Sequence, residues 1–176
     1  VGIAVNAIAG VAIGILTYIS SDEELRSLTF WTMGSFGGVT WPLLIPAIII
    51  ISISIAYLIP AARQLDLLQL GESEAYSLGI DVQKLKYRVI ITSAATVGAS
   101  VSLSGMIGFV GLIVPHLTRL IGGVNHNFLL PGSALLGAFL MVIADLLARI
   151  LLQPAEIPVG LITSAIGSPF FLWLIF

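Results

Sequence analysis

The chain is 176 residues long, 58% hydrophobic and 9% charged, with a formal net charge of −2. Soluble domains carry about 25% charged residues, so this composition excludes a water-soluble globular domain and describes an integral membrane protein. The absence of cysteine excludes disulfides, thiolate metal sites and cysteine nucleophiles.

About 20 apolar residues span a bilayer as a helix, and runs of that kind fall at 1–19, 42–60, 88–104, 107–121, 129–152 and 158–176. In lipid the backbone must satisfy its own hydrogen bonds. The runs are also too long and too uniformly apolar for the alternating strands of about 10 residues in a membrane barrel. The expected fold is therefore all-α, a single polytopic transmembrane bundle over 1–176. The first run lacks a basic leader and a cleavage site, so it does not read as a signal peptide. With the last run reaching Phe176, the chain reads as a fragment of a longer polytopic protein.

In the first span, Gly2, Asn6, Gly10 and Gly14 share one helical stripe. Small residues at that spacing usually mark close helix packing. Asn6 adds a polar group, so the alternative is that Asn6 and Gly10 line a pathway. The segment 20–41 follows, opening on Asp22, Glu23 and Glu24 and grouping Arg26 with Phe30 and Trp31. An arginine beside aromatic rings suits a flat anionic ligand; a helix-capping role suits it equally.

The loop 61–87 contains GESEAYSLGIDVQKLKYR (71–88), the long polar interruption of the chain. Gly71, Ala75 and Gly79 recur every four residues, which aligns small side chains on one face of a short helix. Gly79 suits the position just past that helix, and Asp81 suits the cap of the next one, from Val82. A close-approach face on such a loop suggests that another protein presses on it.

Further along, Ala94, Gly98 and Ser102 form a second small stripe, and Ser133 with Gly137 a third. Pro115, His116 and Arg119 end the short, glycine-rich fourth span. A lone His116 without a second ligand is weak evidence for a metal or haem site, and His126 weaker still, so both read as structural. Arg119 suits helix-end carbonyls or the neighbouring loop. Asp145 and Arg149 stand i, i+4 near the end of the fifth span, where they can pair; intramembrane charges also raise a functional hypothesis. Arg63, Lys84, Lys86, Arg88 and Arg119 gather on one side, against Arg26 and Arg149 on the other. The positive-inside rule places the loops 61–87 and 122–128 in the cytoplasm. The segment 20–41 and the turn Gln153-Pro154-Ala155-Glu156 then lie outside.

The stretches GESEAYSLGI, SGMIGFVGLIVPHLTRLIGG and AEIPVGLITSAIGSPFFLWLIF resemble the FecCD family of permeases, the membrane subunits of ATP-driven importers for haem, vitamin B12 and ferric siderophores. The likeness covers essentially the whole chain and corresponds to the last six of the family's ten helices. One departure is Met106, where the family usually has proline. The segment LRSLTFWTMGSFGGVTW (25–41) is most similar to haem permeases, with the vitamin B12 type close behind.

The resemblance implies a homodimeric permease in the bacterial inner membrane, with a pathway between its two copies. It implies two ATP-binding subunits docked on the coupling segment 66–86 through Gly71, Glu72, Ala75, Leu78 and Gly79. A periplasmic or lipid-anchored binding protein would deliver haem or another iron chelate and meet Arg149 and Arg26; Asn6, Gly10, Arg26 and Trp31 are the pathway candidates. No cofactor is implied for this chain, nor any nucleic-acid partner, and without a G-x-x-x-x-G-K-[ST] motif ATP would be used by the partner. An intramembrane enzyme built on His116 or Asp145 would need a nucleophile or metal constellation. The sequence has no H-E-x-x-H and no G-x-S-x-G. A passive channel would need no coupling loop.

Overall fold

The computed structural model describes residues 2–151 and 157–175. Among these the regular elements are helices: α1 (Gly2–Ile19), α2 (Asp22–Met33), α3 (Trp41–Leu58), α4 (Ala62–Leu68), α5 (Glu72–Ser77), α6 (Val82–Ser104), α7 (Val110–Gly122), α8 (His126–Ile150) and α9 (Val159–Ile175). Among the described residues each of the six expected apolar runs contains a helix. The stretches Gly2–Ile19, Trp41–Leu68 and His126–Ile150 are long and apolar enough to cross a membrane, and Val110–Gly122 and Val159–Leu174 are shorter apolar helices. The helix containing the third span starts at Val82, earlier than the apolar run, because Asp81 caps it there. The turn at Gln153–Glu156 lies outside the described residues.

α3 packs along α6, α7 along α8, and α9 against both α7 and α8. α3 and α6 run antiparallel, since Tyr57 meets Arg88, and so do α7 and α8, since Gly122 meets Phe128 and Gly137 meets Val114, which gives the bundle two ends. At one end α4 touches the start of α8. At the other end three irregular segments meet. Ser35 N–H donates to the Ser104 carbonyl at 2.8 Å, and Gly160 N–H to the Gly34 carbonyl at 3.3 Å. These bonds matter because irregular backbone at membrane depth is tolerated only where protein or a water-filled cavity satisfies it.

The crossing requires glycine. Gly34 and Gly105 have φ of +72° and +68°, and a Cβ on Gly34, Gly105 or Gly160 would come within 3.0 Å of the carbonyl oxygens of Met106, Trp31 or Met33 respectively. Below the crossing, Ala144, Ala148 and Val159 form a core with Phe36, Met141, Ile157 and Ile162 against them. A cleft of about 540 Å³, mostly apolar, opens between α3, α6 and α7 with Phe36, Ile51, Ser100 and Met141 on its walls.

The small-residue stripes divide differently from the packing expectation. Ser133 and Gly137 do face the interior: the Ser133 hydroxyl is buried, and a Cβ added to Gly137 would lie 3.7 Å from Val114 Cγ1. The Ala94, Gly98 and Ser102 stripe is exposed, because α6 meets α3 through the face carrying Thr92 and Thr96 instead. α1 buries no residue at all, and the space around Gly2, Gly10 and Gly14 is open to 4 Å. Spacing defines a stripe but not the element that covers it.

Gly105→Ala or Gly160→Ala should destabilise the protein by about 2 kcal/mol or more, through backbone strain and displaced carbonyls. Gly98→Ala, in open space, should leave stability unchanged. Thermal unfolding in detergent measures both.

Candidate functional site

The polar end of the bundle is a compact knob. The chain leaves α3 through a 3-10 turn, Ile59–Ala61, continues as α4, turns at Leu68–Gly71 into α5, and returns to the bundle as α6. Gly71, with φ of +121°, provides the sharp entry to α5. The exit is a Schellman motif: Ile80 N–H donates to the Ala75 carbonyl at 3.1 Å and Gly79 N–H to the Tyr76 carbonyl at 2.9 Å, with Gly79 left-handed at φ +85°. This satisfies two helix-end carbonyls at once. Asp81 then caps α6, its Oδ1 accepting from Lys84 N–H at 3.0 Å.

Ala75 does not point outward. It is fully buried, in a cluster with Ala61, Ile80, Val82 and Leu85, and Leu65 and Val89 pack around it. The small face of α5 therefore seats the helix on its own chain and cannot be the surface that a partner touches. That is a correction to the expectation for Ala75, and its physical reason is that only a residue without a long side chain lets α5 approach α4 and α6. Glu72 is tied back as well, to Lys86 Nζ at 2.6 Å. The outward surface of the knob consists of Ser73, Glu74, Tyr76, Ser77 and Leu78. Tyr76 is 75% and Leu78 59% exposed. Leu70, Ser73, Glu74, Ser77 and Leu78 line a shallow hollow of about 410 Å³ on this surface. Gly79 is exposed beside it.

The knob is anchored at two further points. Arg88 lays its guanidinium over the Tyr57 ring, 4.2 Å from its centre, and donates from both Nε and Nη2 to the Tyr57 carbonyl. This fastens α6 to the end of α3. Asp66 of α4 accepts from His126, the first residue of α8, through both the backbone N–H (2.9 Å) and ring Nδ1 (2.6 Å). Reading along the chain could not find this pair: the two residues stand sixty positions apart. Arg119 lines a groove of about 370 Å³ with Gln69, Val124, His126 and Leu129, so it does lie beside the loop.

At the opposite end α2 is a helix with a reciprocal cap. Ser21 N–H and Oγ both reach Glu24 Oε2, at 2.8 and 2.9 Å. The Ser21 backbone bond, then the Ser21 hydroxyl, hold the Glu24 carboxyl below its usual range. Arg26, Phe30 and Trp31 are exposed on α2, and Arg26 and Phe30 share a face by their i, i+4 spacing. Among the described residues the cation stacked on a ring is Arg88, not Arg26. Arg149 pairs with Asp145, Nε to Oδ2 at 2.9 Å and Nη2 to Oδ1 at 3.3 Å. Asn6 is exposed on α1. The structure thus separates the candidates into the knob residues at one end and Arg26, Trp31 and Arg149 towards the other. His116 packs its ring edge-on to Phe170 of α9 at 6.0 Å, and no group of three or more His, Cys, Asp or Glu placed to hold a metal ion occurs among the described residues.

Residues 1–176 match the model of the FecCD transport family. The chain is 52% identical to the hemin transport system permease protein of Yersinia pestis over 99% of its own length and 52% of the relative's. It is 44% identical to the vitamin B12 import system permease protein of Vibrio cholerae, over 99% of this chain and 53% of that one. Among solved structures, one described as a metal-chelate type ABC transporter in an inward-facing conformation superposes with a TM-score of 0.93 at 39% identity, covering 99% of this chain and 56% of that chain. The chain belongs to the FecCD transport family and spans about half the length of these relatives.

Two outcomes follow from the knob geometry. Ala75→Glu should unseat α5, read as rapid proteolysis between residues 68 and 82, whereas Ser73→Ala should not. The start of α6 should also respond to pH. The Lys84 side chain, followed by its backbone N–H, holds the Asp81 carboxyl below its usual range, and Asp81 raises Lys84. A depressed carboxyl stabilises above its unfolded pKa and loses that contribution as pH falls through the folded value. The raised Lys84 stabilises below its unfolded pKa and loses its contribution as pH rises through the folded value. Amide protection over 82–85, taken relative to the intrinsic exchange rate at each pH, should be greatest between about pH 4 and pH 10, and Asp81→Asn should flatten the acid side.

Proposed function

We propose that this FecCD-family chain carries six spans of the membrane permease of an ATP-driven importer, moving haem or a related iron chelate inward across the bacterial inner membrane. The observation that carries the reading is the knob α4–α5, a rigid projection with an exposed tyrosine and leucine beside a shallow hollow. A surface of that kind fits insertion into a cleft on another protein, since interface hot spots are rich in tyrosine. Two ATP-binding subunits would dock there, one on each copy of a homodimer. ATP hydrolysis would belong to them, and this chain would bind no cofactor of its own.

The contact residues on this reading are Ser73, Tyr76 and Leu78, with Gly71 and Gly79 shaping the turns around them and Glu72 bracing the knob. α1 offers its uncovered stripe, Asn6 and Gly10 included, to the second copy and the pathway between them. Arg26 and Trp31 stand at the outer mouth, where an arginine suits the carboxylates of haem. Arg149, oriented by Asp145, meets an acidic patch on the binding protein. The closer likeness to the hemin permease supports haem as cargo. A vitamin B12 cargo is the second reading, and the likeness to the vitamin B12 permeases favours it over any unrelated ligand.

Tyr76→Glu or Leu78→Glu in the full-length permease should weaken co-purification with the ATPase about tenfold, or ~1.4 kcal/mol, without loss of membrane insertion. Undiminished binding would remove the knob as the docking element. Proteoliposomes holding permease and ATPase should accumulate haem in preference to vitamin B12 or a siderophore; Arg26→Ala should slow haem more than a chelate without carboxylates. Arg149→Glu should weaken binding-protein docking, most visibly at low salt, where surface charges act over longer range.

A further inference from the structure

The geometry points to Asp66 and His126 as the pair that transmits movement of the knob to α8, and through α8 to the opposite end of the bundle. The inference rests on the reading of the knob as the ATPase contact. α4, α5 and the start of α6 share one core, through Ala61, Ala75, Ile80, Val82 and Leu85, so the knob moves as a unit. Its covalent connections run only to α3 and α6. α8 is not covalently next to it, yet α4 lies against α8, and the polar contact between them is made by Asp66 and His126, with Gln69 Nε2 also 3.1 Å from the His126 ring nitrogen.

The contact is built for transmission rather than for surface decoration. One carboxylate oxygen takes both the ring Nδ1 and the backbone N–H of His126. The second bond holds the helix terminus itself, one of the otherwise unsatisfied amides at the start of a helix. The side chains are only 18% and 27% exposed, so water competes weakly for either partner.

α8 has the length to act as a lever. Its 25 residues extend about 37 Å at 1.5 Å per residue. Asp145 and Arg149 sit on its far part, and Ala144 and Ala148 lock that part against Val159 of α9. Pro131 falls inside the helix, but close fit to α7 holds the shaft there: a Cβ on Gly132 would lie 2.8 Å from Thr118 Cγ2. A shift of α4 along the bundle axis therefore displaces α8 together with α7, instead of bending α8 at the proline.

The test uses the full-length permease with its ATPase in proteoliposomes, and reads substrate moved per ATP hydrolysed. Asp66→Ala and His126→Leu should each lower that ratio about fivefold or more, the range of typical coupling between sites, while the ATPase still co-purifies in full. The double variant should lose no more than the worse single one, as expected of residues acting as a unit. Asp66→Asn keeps an oxygen able to accept both bonds and should retain most of the ratio. If Asp66→Ala fails to fold, His126→Leu, which leaves the backbone bond in place, carries the test. A wild-type ratio in His126→Leu overturns the proposal. Loss of ATPase binding in step with transport also overturns it, since the pair then only shapes the knob. Tyr76→Glu is the control: full ATPase binding in that variant would instead defeat the docking reading itself.

Discussion

The bundle depends on one backbone crossing. Where α2 ends, α6 ends and α9 begins, three irregular segments approach so closely that Gly34, Gly105 and Gly160 leave no room for a methyl group. The approach is what lets Ser35 bond Ser104 and Gly160 bond Gly34. A helical membrane protein can break its helices only if the freed groups find partners inside the protein. Here each break supplies the partner for another. The crossing fixes the position of α2, and with it Arg26 and Trp31. It also places the start of α9, which carries Val159 into the core shared with Ala144 and Ala148.

The knob at the other end is stabilised differently. It contains no long helix, and its order comes from terminal hydrogen bonds: Gly71 at the entry, the Gly79 and Ile80 motif at the exit, Asp81 at the next start. Small apolar residues fill its inside. Such a unit keeps its shape when it moves, because its bonds are internal and its attachments few. Fastening it to α3 through Arg88 and Tyr57 and to α8 through Asp66 and His126 leaves the exposed side of α5 available for a partner.

Much of this was legible in the amino-acid order. Apolar runs located six of the helices, since the bilayer demands about twenty such residues in a row. Gly79 and Asp81 announced the end of one helix and the start of another, because those roles need particular residue types. The direction of Ala75 was not legible. A spacing of four shows which residues share a face, but burial depends on what lies opposite, and a small residue serves an internal seat as well as an external contact. The same ambiguity hid the fate of the α1 and α6 stripes. The crossing glycines and the pair Asp66–His126 escaped for another reason: their partners are distant in sequence, and no local pattern marks a contact that only the tertiary arrangement creates.

The proposed importer function requires an ATP-binding subunit to sit on the exposed face of α5. Site-specific photocrosslinking in the assembled full-length transporter tests this directly, with the reactive residue introduced in turn at Ser73, Tyr76, Leu78 and, for comparison, Thr29 on α2. Docking on α5 should give strong crosslinks to the ATPase from Tyr76, Leu78 and Ser73, and none from Thr29. Crosslinks absent from all three α5 positions in a complex that still hydrolyses ATP and transports would contradict it.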